Sequence, residues 1–146
     1  MDFAGKVALV TGGGNGIGRA TALGFAERGA TVVVVDLDRD AAAETVRLIT
    51  QDNKTGFDLC ADVTRTSDVQ GYVEATLQKY GRIDCFFNNA GIEGLVAPTA
   101  EYDEDVFDDV IAVNVKGVFL GLRHVLPVML EPVSYTHLTL PTICSV

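Results

Sequence analysis

A glycine-rich turn between an apolar strand and a helix constrains this chain more than any other feature. Residues 6–11 (K-V-A-L-V-T) form an almost continuous apolar run, which is typical of a strand buried on both faces of a parallel sheet. The turn T-G-G-G-N-G-I-G follows at 11–18, and apolar residues with helical spacing occupy 17–28. Glycines allow left-handed backbone angles and let a phosphate approach the N–H groups of the following helix. The pattern predicts a pyrophosphate-binding turn, with a plain tight turn as the alternative.

An acidic residue closes the second predicted strand. Residues 31–36 (T-V-V-V-V-D) are β-branched up to Asp36, which lies 18 residues after Gly18. A carboxylate there can accept hydrogen bonds from the 2′- and 3′-hydroxyls of an adenosine ribose. It would repel a 2′-phosphate, and neither Asn15 nor Leu37, both included in the predicted cofactor site, supplies a compensating cation. We therefore expect NAD rather than NADP, against the alternative of a solvated acid at a strand end.

Strand and helix patterns alternate along the rest of the chain. Two further strands and three further helices are predicted, in chain order, at residues 39–50, 56–60, 67–80 (with Ser67 as its N-cap), 83–88 and 102–130. Four such alternations predict an α/β fold in which helices cover both faces of a doubly wound parallel sheet. With 146 residues, the chain is one domain at most.

Charge and hydropathy exclude several function classes. The formal net charge is −9, which leaves no basic patch for nucleic acid or for an anionic membrane surface. The apolar stretch at 110–130 is interrupted by Asn114, Lys116, Arg123 and His124, so a buried or subunit-facing helix is expected rather than a membrane span.

The cysteines argue against a metal or redox site. Cys60, Cys85 and Cys144 are spaced too widely for a zinc knuckle or a redox pair. The amino terminus shows no basic-then-apolar leader pattern. We therefore expect the three cysteines to be buried, reduced thiols in a cytoplasmic protein without a metal site.

Five separated motifs resemble, in order, those of the short-chain dehydrogenase/reductase family. They are the glycine-rich turn, Asp36, D-V at 62–63, N-N-A-G at 88–91 and I-A-V-N-V-K-G-V-F at 111–119. The resemblance covers residues 6 to about 131 and implies a Rossmann-like fold with strand order 3-2-1-4-5-6-7. It also implies an NAD-dependent oxidoreductase that moves a hydride between nicotinamide and an alcohol or carbonyl carbon.

The resemblance implies a role for each residue of the turn and of the later motifs. Residues matching the turn glycines are Gly12, Gly16 and Gly18, and Ile17 matches the residue whose N–H faces the pyrophosphate. The remaining matches are Asp62 at the adenine amino group, Val63 beside the adenine ring, and Asn89, Ala90 and Gly91 along the adenine ribose. On chemistry alone the D-V pair would be a solvated turn, and Asn88 is expected only to satisfy a turn.

One member of the family's catalytic tetrad is matched. Asn114 matches the Asn that distorts its helix and positions a water in the proton relay. His124 and His137 are not expected to act as bases, since one lies far along the long helix and the other in the carboxyl-terminal tail. No tyrosine is followed by lysine four residues later, and the family's Ser is also unmatched.

These gaps predict a fragment without catalytic activity. Residues 1–131 are interpreted as the N-terminal part of an NAD-binding domain, truncated after about four strands. Residues 132–146 show no matching period and resemble a translated sequencing adapter, so they are interpreted as a non-native tail. The fourth strand should then be an open edge, and the product should be marginally stable and prone to aggregation.

Three hypotheses remain for the function. The first is a truncated enzyme, the second a non-catalytic NAD-binding module or sensor, and the third, disfavoured by N-N-A-G and the Asn114 helix, a nucleoside- or methyl-donor-binding protein. For the longer protein the resemblance implies a small alcohol or carbonyl substrate and a homo-oligomer paired through the long helix. Glu93, Leu95 and Val96 are expected to border the substrate pocket.

Overall fold

Runs of β-branched and apolar residues form the strands of one parallel sheet. The computed structural model describes residues 2–130 and 138–139. Within them the strands are β1 (Val7–Thr11), β2 (Thr31–Asp36), β3 (Gly56–Cys60), β4 (Cys85–Asn88) and β5 (Leu138–Thr139). Their order is β3-β2-β1-β4-β5, and every neighbouring pair is parallel. The first four strands have the order that the family resemblance implies.

Helices follow the strands at the predicted places. In the described part of the chain they are α1 (Gly16–Glu27), α2 (Arg39–Thr50), α3 (Thr66–Tyr80), α4 (Glu104–Ile111) and α5 (Val118–Leu130). The observed starts and ends differ from the predicted ones by at most two residues. The long helix predicted from about residue 102 runs from Glu104 to Leu130, and a π-helical turn, Ala112–Gly117, joins its α-helical parts α4 and α5. A short 3-10 turn, Thr99–Glu101, precedes α4.

Alternate residues of the strands pack on opposite faces of the sheet, as the period of a strand requires. On one face, Leu9, Val33 and Phe86 pack with residues of α3 and α5. On the other face, Val10 and Val34 pack with alanines and Ile49 of α1 and α2. The fold is therefore a doubly wound, Rossmann-like α/β sheet, which confirms the predicted fold class.

A buried carboxylate aligns the amino ends of the two central strands. Asp84 is fully buried, and its Oδ2 accepts a hydrogen bond from Val7 N at 2.9 Å. Its Oδ1 pairs with the Arg82 guanidinium and, at 3.7 Å, with Lys6 Nζ. Because a buried carboxylate requires such partners, these contacts fix the register of β1 beside the strand that begins at Cys85.

The edge of the sheet differs from the prediction. Leu138–Thr139 lies parallel to β4, opposite Phe86 and Phe87, so β4 is not an open edge. An extended segment can add to a parallel ladder through its backbone groups alone, whatever its side-chain pattern. The remainder of residues 132–146, including His137 and Cys144, lies outside the described residues.

The predicted cap of α3 is wrong. The N-cap position is Arg65, and no side chain caps the helix. The Ser67 hydroxyl instead donates to Asp68 Oδ1 at 3.0 Å, while Asp68 Oδ2 accepts from Asp62 N at 3.1 Å. The Asp62 N–H and the Ser67 hydroxyl lower the pKa of Asp68. This carboxylate therefore ties the start of α3 to the segment after β3.

The two described cysteines differ in exposure. Cys85 is buried, as predicted, and burial raises the pKa of its thiol, with the Asp84 charge adding to the effect. Cys60 is exposed, contrary to prediction, because it ends β3 at the edge of the sheet. Both thiols are free.

One helical stretch, Glu104–Leu130, is long and apolar enough to cross a membrane by length and composition alone. Its second half packs against the sheet and α3 through buried Leu120, Val125 and Met129. His124 lies in the same half, and its buried Nε2 has no hydrogen-bond partner among the described residues.

Replacing Ile49 with valine should lower the free energy of unfolding by about 0.5–1.5 kcal/mol. Ile49 is 1% exposed between α2 and the sheet, so the lost group leaves a gap. Ile92→Val is the control, because that side chain is 43% exposed. Urea denaturation measures both variants, and equal losses would contradict the described packing.

Candidate functional site

A cavity of about 650 Å³ opens at the carboxyl ends of the strands, where open α/β sheets bind ligands. All twelve residues predicted for the cofactor site line it. They are Gly12, Asn15, Gly16, Ile17, Gly18, Asp36, Leu37, Asp62, Val63, Asn89, Ala90 and Gly91. The fold therefore brings together motifs that are far apart in the chain.

The first turn of α1 lines this cavity without a capping side chain. Asn15 occupies the N-cap position in extended conformation, but its side chain caps no N–H, and the first turn holds no acidic residue. By contrast, Asp38 caps α2 and Asp103 caps α4. The N–H groups and the partial positive charge of α1 are therefore open to an anion from the cavity.

Two glycines of the turn are required by close backbone approach. A Cβ on Gly18 would lie 1.9 Å from the Gly12 carbonyl oxygen, which no rearrangement of a side chain could relieve. Gly12 has φ +63°, and a Cβ there would lie 2.9 Å from Ala90 Cα. The turn thus folds tightly on itself and on the segment after β4. Ile17 extends from it with a 72% exposed side chain.

A hydrogen-bonded junction holds the ends of β1 and β4 together. The buried Thr11 Oγ1 accepts from Asn89 N at 3.0 Å and from Ala90 N at 3.2 Å, and donates to Asn88 Oδ1 at 3.4 Å. Asn89 Nδ2 donates to the Thr11 and Gly12 carbonyls at 3.2 and 3.3 Å. These bonds fix the glycine-rich turn against residues 88–91.

Asn88 does more than satisfy a turn, contrary to the prediction. Its side chain is buried, and Nδ2 donates to the Val118 carbonyl at 2.9 Å. A Cβ on Gly121 would lie 2.8 Å from this nitrogen, so the glycine lets α5 approach β4 closely. Asn88 therefore ties the sheet to the helix that follows the π-helical turn.

Asp36 holds the turn as well as lining the cavity. Its Oδ2 accepts from Gly14 N at 2.8 Å, and its Oδ1 accepts from Asp38 N at 3.0 Å. A carboxylate has about four acceptor sites, so each oxygen retains capacity for a ligand hydroxyl. The acid that closes β2 is thus oriented by backbone donors on both sides.

A second side chain holds the turn from α2. The buried Thr45 hydroxyl donates to the Gly13 carbonyl at 2.9 Å and accepts from Arg19 Nε at 3.0 Å. It therefore links α2, the turn and the first turns of α1. Sequence patterns did not indicate Thr45, since a threonine inside a helix carries no local signal for such a contact.

The sequence left two interpretations open for Asp62, a turn or a place in the cofactor site, and its position is compatible with both. Its Oδ1 accepts from Thr64 N at 2.9 Å and from Thr64 Oγ1 at 2.7 Å, so it does build a turn. It also lines the cavity beside Val63. Val63 is buried against Gly117 of the π-helical turn, where a Cβ would lie 2.9 Å from Val63 Cγ2.

Asn114 lies within the π-helical turn, so the predicted distortion of its helix is present. Its Oδ1 accepts from Ile92 N and its Nδ2 donates to the Ile92 carbonyl, both at 2.9 Å. Gly91 leaves room for this contact, since a Cβ there would lie 3.2 Å from Asn114 Oδ1. The side chain therefore clamps the segment after β4 and does not itself line the cavity.

Five residues line the cavity that the sequence patterns did not indicate: Val35, Asp38, Ala61, Ile92 and Val113. The rule that ligands bind beyond the carboxyl ends of parallel strands could have indicated the first three, which adjoin the ends of β2 and β3. Val113 lies in the π-helical turn, and the distortion predicted at Asn114 did not indicate which of its neighbours would line the cavity.

The residues that follow Ile92 in the chain form an exposed loop. Leu95 is 54% exposed and Val96 is fully exposed, and the backbone N–H of Leu95 donates to Tyr102 Oη at 3.0 Å. Glu93 is exposed as well. In the described part of the chain none of the three predicted residues lines the cavity, so their place beside a substrate stays a prediction.

Substituting Gly18 with alanine should weaken dinucleotide binding by more than about tenfold, because the new Cβ forces the turn away from the Gly12 carbonyl. Gly71→Ala, within α3, is the control: a Cβ there meets nothing within 4 Å. It should leave binding unchanged and stabilise the helix by up to about 1 kcal/mol. The change in NADH fluorescence on binding measures the affinity of both variants. A Gly18→Ala protein that binds normally would contradict the tight turn.

Comparisons with known proteins identify relatives of this chain. The family model described as short chain dehydrogenase matches residues 6–134. Levodione reductase from Leifsonia aquatica is 44% identical over 131 residues, which are 88% of this chain and 49% of that protein. The chain spans about half the length of the curated relatives it matches.

Solved structures share the same arrangement of strands and helices. The crystal structure of NAD⁺-bound xylitol dehydrogenase has a TM-score of 0.86 at 38% identity, covering 88% of this chain and 50% of that chain. The 3-ketoacyl-(acyl-carrier-protein) reductase from Brucella melitensis, complexed with NADH, has a TM-score of 0.83 at 38% identity, covering 88% and 52%. The chain belongs to the short-chain dehydrogenase family.

Proposed function

We propose that this chain forms the cofactor-binding part of an NAD-dependent oxidoreductase. The observation that carries the proposal is the uncapped first turn of α1, which lines a cavity whose other polar groups include Asp36 and Asp62. Bound nicotinamide would supply hydride transfer to or from an alcohol or carbonyl carbon of a small-molecule substrate. The complete activity belongs to the longer protein in this proposal.

The lining residues suit the parts of a dinucleotide. The backbone N–H groups of residues 16–18 would hold the pyrophosphate, and Asp36 would accept from the ribose hydroxyls. Asp62 would accept from the adenine amino group, and Val63 would pack beside the ring. Residues 89–91 would border the ribose, with Asn15 and Leu37 at the edge. The common cavity supports these assignments.

We propose NAD rather than NADP as the cofactor. No lysine or arginine lines the cavity within the described residues, so nothing there would compensate a 2′-phosphate. Two similar solved structures contain NAD⁺ and NADH, respectively. These observations favour NAD over NADP for the longer protein.

Asn114 acts as a positioning residue in this proposal. Both polar ends of its amide are occupied by Ile92, so it would act by holding the backbone rather than by contacting substrate. The wider turn of a π-helix changes which backbone carbonyls have a hydrogen-bond partner within the helix. A carbonyl left without such a partner would hold the water of a proton relay.

We further propose that the 146-residue chain binds NAD without oxidising or reducing a substrate. None of its tyrosines has a lysine four residues later to lower its pKa for proton transfer. The same lack supports the second candidate, a non-catalytic NAD-binding module. We place the protein in the cytoplasm because its two described cysteines, Cys60 and Cys85, are free thiols. We propose no nucleic-acid or membrane partner, because the net charge is −9.

Titration of the purified chain with NAD and NADP tests the proposal. We expect calorimetric binding of NAD, weaker binding of NADP, and no change in NADH absorbance with secondary alcohols or ketones. Absence of binding by either dinucleotide would contradict the proposed site. Turnover of any substrate would contradict catalytic silence while leaving the cofactor assignment standing, and tighter binding of NADP would overturn the role of Asp36.

A second copy of the chain is the oligomeric partner that we propose. Phe107, Ile111, Val115 and Phe119 recur every four residues and are between 41% and 56% exposed. Such spacing forms one stripe about 18 Å long on the side of the helix. The helix is acidic near Glu104 and basic further along, so an antiparallel two-fold pairing would set opposite charges together.

Phe119→Ser should shift the chain from dimer to monomer, since it removes an aromatic ring from the stripe. Leu130→Ser is a matched control, because Leu130 is 56% exposed against 55% for Phe119 but lies outside the four-residue spacing. Sedimentation equilibrium measures the association. A wild-type chain that stays monomeric, or equal effects of both variants, would contradict pairing through the stripe.

A further inference from the structure

Asp38 places a second carboxylate at the end of the cavity that holds Asp36. It lines the cavity two residues beyond Asp36, at the N-cap of α2, and its side chain is exposed. The Asp38 backbone N–H donates to Asp36 Oδ1 at 3.0 Å. This bond keeps the two acidic residues side by side.

The Asp38 carboxylate is held in place through one oxygen only. Its Oδ1 accepts from Asp40 N at 3.0 Å and from Ala41 N at 3.1 Å, which caps the helix. No described residue donates to its Oδ2. The cap therefore fixes a negative charge at the edge of the cavity and leaves half of the carboxylate without a partner in this part of the chain.

We propose that Asp38 is a second specificity-determining residue, which disfavours a cofactor with a 2′-phosphate beside Asp36. The inference rests on the proposed NAD site. A 2′-phosphate bound near Asp36 would meet two carboxylates, with no lining cation in the described part of the cavity. The repulsion acts over a few ångströms and weakens with salt, since the Debye length falls as ionic strength rises.

Asp36 and Asp38 differ in what their replacement would do to the fold. Removing the Asp36 carboxylate would leave the N–H groups of Gly14 and Asp38 without their acceptor and loosen the turn. Asp38→Asn keeps an oxygen for the cap, because Asn and Asp cap helices about equally well. Neutralising Asp38 therefore changes charge with little change in structure.

Competition measurements test this inference. The experiment uses displacement of bound NADH by NADP and by NAD, which also registers weak competitors. Asp38→Asn should strengthen NADP binding roughly threefold to tenfold and change NAD binding by less than about twofold. The gain should shrink when ionic strength rises from about 0.02 M to about 0.5 M. The control is Asp40→Asn, which removes the same charge from the first turn of α2 outside the cavity lining.

The outcomes separate the inference from the proposed function. If Asp38→Asn strengthens NADP binding no more than Asp40→Asn does, while NAD binds normally, the inference is overturned and the proposed function stands. If the wild-type chain binds neither dinucleotide, the proposed function is overturned and the inference with it. Thermal unfolding of both variants checks that the cap of α2 persists, and a gain that does not depend on salt would also count against a charge effect.

Discussion

The Thr11 hydroxyl joins the two segments on which the whole site depends, the glycine-rich turn and the N-N-A-G segment. Because Thr11 is fully buried, its hydrogen bonds are shielded from water. The N–H groups of Asn89 and Ala90, which donate to its hydroxyl, would have no water to replace it as acceptor. Asn89 returns the contact by donating to the carbonyls of the turn. The segment that Asn114 bonds at Ile92 continues directly from the residues that Thr11 holds, Asn89 and Ala90.

The glycine-rich turn is held from a second side by residues of β2 and α2. Asp36 accepts a hydrogen bond from Gly14, and Thr45 donates one to Gly13. A turn fixed in this way presents its N–H groups without reorganisation when an anion arrives, which reduces the ordering cost of binding. The same contacts that stabilise the fold therefore prepare the proposed cofactor site, so a change at Asp36 affects both.

The polar groups that line the cavity are of two kinds, backbone donors and carboxylate acceptors. The start of α1 has open N–H groups and no acid in its first turn, which suits a pyrophosphate. Asp36 and Asp62 supply acceptors elsewhere in the cavity, which suits the hydroxyls and amino group of an adenosine. Acids beside the pyrophosphate would repel it, and the first turn of α1 holds none.

The sequence by itself determined the first four strands, the helices and the glycine-rich turn, because apolar period, glycine content and an acid at a strand end are local properties. The family motifs supplied the cavity residues that local chemistry does not indicate, such as Asp62, Val63 and Asn89. Tertiary structure alone decided that Asn88 reaches Val118 and that Asn114 engages Ile92, which are contacts between residues 30 and 22 positions apart. It also decided that Asp38 faces the cavity and that Leu138–Thr139 lies beside β4. Such pairings depend on how helices and strands meet after folding, and no period or motif in the chain indicates which distant residues will be in contact.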